Sequence, residues 1–332
     1  MNKRFLAIAI AAGLAVSSTV MADGAEIYGI AHVSVNNYSY DATASIDAWT
    51  VTSNSSRLGF KGSEDLGGGL KAVYKIEYGV DLADTATVSN RNQYVGLSGG
   101  MGTVLLGRHD TPTKMVQGKF DVFNDTVADM VTSTGGGVDG DVRANNVIAY
   151  LSPKMGGMQL IAALIPGEGS VSGACSDGAG GSNCDGPADG TSISFTYSAG
   201  DLYVGFGMDS GDIVDDQMRL AATYKMDALQ LGFLYNARSD AALAAADLAN
   251  DEKAMGLSVS FGMGDNAVKA QFIQTTDING ASGADATAMT IGYDANLSAR
   301  TTAYALYNMY SPDTTGASAD VSVISAGITH SF

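Results

Sequence analysis

Side chains suited to acid–base or nucleophilic chemistry are few and scattered. The 332 residues include three histidines, His32, His109 and His330. None forms a metal-binding pair, and no serine-centred nucleophile motif stands out. The glycine-rich stretches occur in turns and lack a phosphate-loop lysine. Catalysis is therefore not expected, nor is a cofactor or a metal centre. The two cysteines, Cys175 and Cys184, lie close together in a Gly/Asp/Ser-rich stretch. In an exported chain they most simply close one small disulfide loop. Two thiols without a nearby histidine are a poor zinc set. Asp177, Asp185 and Asp189 around them lack the EF-hand spacing for calcium. What remains is charge in water: 35 acidic residues against 18 basic ones, a net charge of −17. That balance points away from nucleic acid as a partner.

The placement of those charges is ordered. Arg57 and Lys61 share a face with Gly59, opposite Leu58 and Phe60. Lys71, Lys75 and Glu77 oppose Leu70, Ala72, Tyr74, Ile76 and Tyr78. The same period of two recurs near 191–198, 202–208 and 255–262, with one face apolar and the other polar or very small, as in Gly205, Gly207 and Gly256. A soluble sandwich would turn its polar face outward. A membrane barrel turns the apolar face to lipid and the polar face to a wet lumen, and so escapes hydropathy windows tuned to helices.

The ends and connectors favour the barrel. Lys3 and Arg4 precede an apolar run at 5–16, and Val20-Met21-Ala22 offers a cleavage site. Residues 1–22 read as a signal peptide and 23–332 as a single domain. About sixteen strand candidates follow. Their connectors alternate between short ones (65–69, 100–102, 153–157, 200–201, 226–228, 263–266, 295–297) and long ones (109–145, 167–190, 239–252, 278–285, 312–319), which is the outer-membrane pattern. The last strand alternates through Ile324, Ala326, Ile328 and His330 to a terminal Phe332. Such an ending looks like a signal read by the outer-membrane assembly machinery. Tyr28, Tyr38, Tyr74, Tyr78 and Tyr310 are expected in aromatic girdles or at a subunit interface.

Three segments resemble the Gram-negative general porins. One is Ser56-Arg57-Leu58-Gly59-Phe60-Lys61-Gly62-Ser63-Glu64-Asp65-Leu66-Gly67-Gly68-Gly69-Leu70-Lys71-Ala72. The second runs from Arg91-Asn92-Gln93-Tyr94-Val95-Gly96-Leu97 to Gly102-Thr103-Val104-Leu105-Leu106-Gly107-Arg108. The third is Arg143-Ala144-Asn145-Asn146-Val147-Ile148-Ala149-Tyr150-Leu151-Ser152-Pro153. Together with Ile27-Tyr28-Gly29 and Phe332, the likeness spans the chain after residue 22. It implies an all-β, 16-stranded antiparallel transmembrane barrel with an inward-folded third loop, here about 109–145. It also implies a homotrimer in the bacterial outer membrane, among lipid and lipopolysaccharide, passing small hydrophilic solutes by passive diffusion.

By position, Arg57, Arg91 and Arg143 form the family's basic constriction cluster. Asp121, Asp125 and Asp129 are the loop acids that would face it. The loop reads Phe120-Asp121-Val122-Phe123-Asn124-Asp125 where the family commonly has Pro-Glu-Phe-Gly-Gly, so which acid faces the arginines stays open. Lys61, Lys71, Lys75 and Glu77 are lumen-wall candidates, as are Arg219, Lys269 and Gln271. Arg108, His109 and Asp110 are expected to brace the start of the loop. A substrate-selective channel, for anions or oligosaccharides, is the alternative. Acidic connectors favour cations and the arginines favour anions, leaving the sign of selectivity open.

Overall fold

The computed structural model describes residues 24–41, 46–84, 87–132, 134–167, 186–211, 214–239, 251–313 and 319–332. The expected signal peptide and both cysteines lie outside them. The described residues form seventeen strand segments: β1 (Glu26–Asp41), β2 (Ile46–Ser53), β3 (Arg57–Gly67), β4 (Leu70–Val80), β5 (Val88–Gly99), β6 (Gly102–Asp110), β7 (Arg143–Leu151), β8 (Met158–Ile165) and β9 (Gly190–Ala199), then β10 (Leu202–Gly211), β11 (Asp216–Met226), β12 (Leu229–Ser239), β13 (Glu252–Met263), β14 (Asn266–Thr276), β15 (Asp285–Ser298), β16 (Thr301–Asp313) and β17 (Asp320–Ser331).

β2 and β3 are one broken strand. Both pair antiparallel with β1, β2 along Val33–Tyr40 and β3 along Glu26–Ile30. At the break, Ser55 takes a left-handed φ of 51°. The Ser56 hydroxyl accepts from the His32 amide at 3.0 Å and donates to the His32 carbonyl at 3.0 Å. A side chain thus satisfies backbone groups that the bulge would strand. From β3 onward each strand pairs antiparallel with its successor, and β17 returns to β1 over Ile30–Asp41. The result is a closed 16-stranded antiparallel barrel. Gly29 and Phe332 exchange two backbone hydrogen bonds, of 3.0 and 3.1 Å, at the seam. Closure leaves no sheet edge unpaired, as hydrocarbon requires.

Strand alternation sorts the two faces. Outward stand Ile27 (62% exposed), Val51 (58%), Leu257 (58%) and Ile324 (60%). Asn36, Arg219, Asn236, Thr275 and Asn308 are buried inside. A water-soluble protein shows the reverse. Among the described residues, no helix is long and apolar enough to cross a membrane. Two apolar clusters, around Phe120 and Phe123, lie between the inner wall and the connector that follows β6, and a third, around Leu105, joins inner-wall residues of β6, β7 and β8 with Val214.

Two expectations need correction. Residues 295–297 are not a turn: β15 continues to Ser298, with a register shift at Asn296/Ser298, before β16 begins at Thr301. Of the five tyrosines expected outside, only Tyr74 and Tyr78 share the outward face of Leu58 and Ile76. Tyr28, Tyr38 and Tyr310 share the inward face of β1 and β16 with His32, Asn36 and Asn308. Their intermediate burial resembles that of an interfacial aromatic, so only the register separates the two sides.

Candidate functional site: the lumenal loop and its charged wall

The longest described connector, residues 111–142 without 133, leaves β6 after Asp110 and joins β7 at Arg143. Both strands reach further into it than the sequence suggested. It opens with one short helix, α1 (Pro112–Val116). The Thr111 side chain caps α1 by accepting from the Lys114 amide at 3.2 Å, and Pro112 begins it. The Thr113 amide donates to Ser192 at 3.2 Å, and the Tyr203 hydroxyl donates to the Val116 carbonyl at 2.8 Å. The connector therefore lies against side chains of the inner wall.

Glycines on that wall receive it. A Cβ on Gly207 would come within 3.0 Å of Val116, one on Gly256 within 2.3 Å of the Phe120 ring, and one on Gly292 within 2.7 Å of the Phe123 ring. The very small face of β10, β13 and β15 is thus a row of sockets for apolar loop residues. Phe120 and Phe123 are at most 1% exposed.

The tip folds on two carboxylates. Asp121 accepts from the amides of Phe123 (2.9 Å) and Met130 (3.0 Å). Asp129 accepts from the amides of Asp125 (2.7 Å) and Val131 (3.1 Å) and from the Asn124 side chain (3.1 Å). Burial pushes both carboxyl groups above the usual carboxylate range, and Asp121 pushes Asp129 further. Neither meets an arginine in a described ion pair. Asp125 does: its left-handed backbone, φ 60°, aims the carboxylate at Arg57, 2.9 Å away.

The other two arginines find acids on the wall itself. Arg91 pairs with Glu77 at 2.9 Å, and Glu77 also holds Lys75 at 3.0 Å and accepts from the Tyr28 hydroxyl at 2.8 Å. Lys61 and Lys75 stand 5.1 and 5.6 Å from the Tyr28 ring centroid, and Lys61 pairs with Glu26 at 3.2 Å. Lys71 lies four residues beyond Lys75 on the same inward face, opposite Asp65 in register. Arg143 pairs with Asp110 at 2.9 Å and donates to Asn92 at 3.0 Å. The three arginines thus occupy β3, β5 and β7, each beside a different acid. Arg57, Arg91 and Arg143 keep 17% of their side-chain surface open to the lumen.

Several anchors were not legible as such. Arg219, expected as a wetted wall residue, is fully buried. It holds Asp141, donates to Gln117 at 3.0 Å, and donates to Asn236 at 2.9 Å. Arg238 gathers Asp139, Asp215 and Glu252 at 2.9–3.3 Å. Lys269 pairs with Asp294 at 2.8 Å and covers the Phe123 ring, while Gln271 accepts from the Val122 amide at 3.2 Å. Of the residues expected to brace the start of the loop, Asp110 holds Arg143 and the Lys114 ammonium (3.6 Å), and His109 packs its ring on Tyr94. Arg108 instead shares the outward face of Leu106 and Val95 with Gln93, its side chain donating to Asn145. A register argument on β5 and β6 would have found it.

Comparison with known proteins agrees with this architecture. A profile of the Gram-negative porin family matches residues 7–315. Outer membrane porin protein 32 of Delftia acidovorans is 36% identical over 169 residues, which covers 47% of this chain and 47% of that protein. The match thus spans about half the length of that curated relative. Among solved structures, an anion-selective porin from Comamonas acidovorans superposes with a TM-score of 0.71 at 24% identity, covering 93% of this chain and 99% of the other. The trimer form of OmpT from Vibrio cholerae gives 0.63 at 15% identity, over 93% and 99%. With a family profile over nearly the whole chain and a closed barrel of the matching architecture, this chain belongs to the Gram-negative porin family of bacterial outer-membrane proteins.

Proposed function

We propose that the protein is a homotrimeric outer-membrane channel through which small hydrophilic solutes and ions diffuse passively, with no catalytic step. One observation carries this reading. The barrel is apolar outside and charged inside, and its lumen is crossed by a docked loop that brings Asp125 to Arg57. Arg57, Arg91 and Arg143, with Lys61, Lys71, Lys75 and Glu77, form the charged wall; Asp125 is the loop acid opposite it. Fixed charges facing one another across a narrow wet passage orient water and polar solutes, and an apolar solute must displace that water. The outward cluster of Gln93, Arg108 and Asn145 supports the trimer. An arginine facing hydrocarbon near mid-membrane would cost about 2–4 kcal/mol, and a neighbouring subunit would shield it.

An anion-selective variant of this reading is favoured by the concentration of Arg57, Lys61, Lys75 and Arg91 around one stretch of wall, and by the described selectivity of the Comamonas porin. Single-channel recording in a planar bilayer under a salt gradient tests both. Ohmic steps in groups of three are expected, and the sign of the reversal potential assigns ion preference. Folded protein that inserts but gives no steps would refute the channel reading.

A further inference from the structure

The inward tyrosines form a strip on one sector of the wall. Tyr40 and Tyr38 on β1 stack on each other, with ring centroids 6.3 Å apart and planes 17° apart. Strand register carries the row sideways. Tyr40 lies opposite Val321, and Val321 opposite Tyr310, so these three side chains stand abreast on the inner face at the long-loop end. Nearer the short-turn end, Tyr304 lies so flat across Gly327 that a Cβ there would meet its ring at 2.4 Å, and Tyr28 lies across Gly59 at 2.5 Å. Tyr304 stands level with Ser34, so the row from Tyr40 to Tyr304 extends about 20 Å along the strands; Tyr28 lies about 20 Å further, with Lys61 and Lys75 over its ring. Tyr38 and Tyr304 also pack against the Phe123 cluster of the loop tip, whereas Tyr40, Tyr310 and Tyr28 are not part of that cluster. All five are half-buried, each keeping part of its surface open to water in the lumen. Padding for the loop therefore accounts for only part of the strip.

A tyrosine ring held flat against a wall offers a broad apolar face with a polar edge. A pyranose ring is built in the complementary way, with C–H groups on its faces and hydroxyls around its rim. It can stack on tyrosine while the hydroxyls remain in water or bond to wall groups. We propose that this tyrosine strip is a stacking track for neutral pyranose oligosaccharides, with Tyr40 and Tyr310 as the first contact at the long-loop mouth. The proposal rests on the channel reading above and names a solute class for it. Weak stacking contacts retain a sugar without trapping it, because each ring contact is released at small cost.

The test is block of ion current by maltotriose, compared with a poly(ethylene glycol) of equal mass that has the bulk but no ring faces. Saturable block by maltotriose and none by the glycol is expected. Tyr40→Ala combined with Tyr310→Ala should raise the half-blocking concentration about tenfold, while Tyr40→Phe with Tyr310→Phe, which keeps both rings, should leave it unchanged. The proposal is overturned if maltotriose does not block saturably, if the double alanine variant blocks as the wild type does, or if only a planar anion such as benzoate blocks. Sugar-free conductance of the wild type keeps the two readings apart. Steps without sugar block sink the track alone, and absence of steps sinks the channel.

Discussion

Arg57 and Asp125 reach each other from different parts of the chain, one on a wall strand and one on a loop turn with left-handed backbone. Both are partly open to water, so their direct contribution to stability is small, about 0–1 kcal/mol. Their effect belongs instead to the field that a permeating ion meets. Arg57→Ala leaves Asp125 without its counter-charge, so the reversal potential should move toward cation preference. Asp125→Asn should move it toward anions. Unchanged reversal potentials in both variants would show that ions pass elsewhere. Asp121 and Asp129 differ from Asp125 although their residue type is the same. Their oxygens already bind loop amides, so they shape the tip and leave the field to their neighbour.

At the scale of the element, the loop is held by shape as much as by charge. Phe120 seats over Gly256 with no room for a methyl group between them. Gly256→Val must displace that ring, at a cost of about 1–3 kcal/mol. The expected result is a lower unfolding temperature in detergent together with noisier open-channel current. Phe120→Ala empties the socket instead, and loss of a buried phenylalanine of this kind costs about 3–5 kcal/mol. If both variants unfold at the wild-type temperature, the socket contributes nothing to holding the loop. The glycines were visible in the sequence as an unusually small lumen face on two strands. Their purpose was not, because the partner residues lie more than eighty positions away.

For the whole molecule, closure and the proposed trimer solve one physical problem. Hydrocarbon tolerates neither unpaired backbone nor exposed charge. The β1–β17 seam removes the first, and most charges turn inward. Arg108 is an exception on the outward face, with Gln93 and Asn145 beside it. Arg108→Glu should lower the temperature at which the proposed trimer dissociates on a semi-native gel. The Arg108–Asn145 bond on the outward face is lost with it, but the lumenal contacts are untouched, so a single open channel should keep its conductance. A trimer as heat-stable as the wild type would place that cluster away from the subunit contact.

What the sequence determined by itself is what depends on neighbours along the strand. Alternation with a period of two needs only the pleat, so strand number, the lipid and lumen faces of Leu58, Phe60, Arg57 and Lys61, and the long third connector were all legible. The ion-pair partners of Arg57, Arg91 and Arg143 were not, because ion pairs and packing join residues brought together only by closure and loop docking. Asp121, Asp125 and Asp129 are alike in sequence, and backbone geometry alone selects Asp125 for Arg57. Tyr28, Tyr38 and Tyr310 are equally suited by chemistry to a membrane interface or to a wet lumen, and the register of β1 and β16 turned them inward. Arg219 has the composition of a solvent-facing wall residue, and it became a buried anchor only because Gln117 and Asp141 were laid across it by the returning loop.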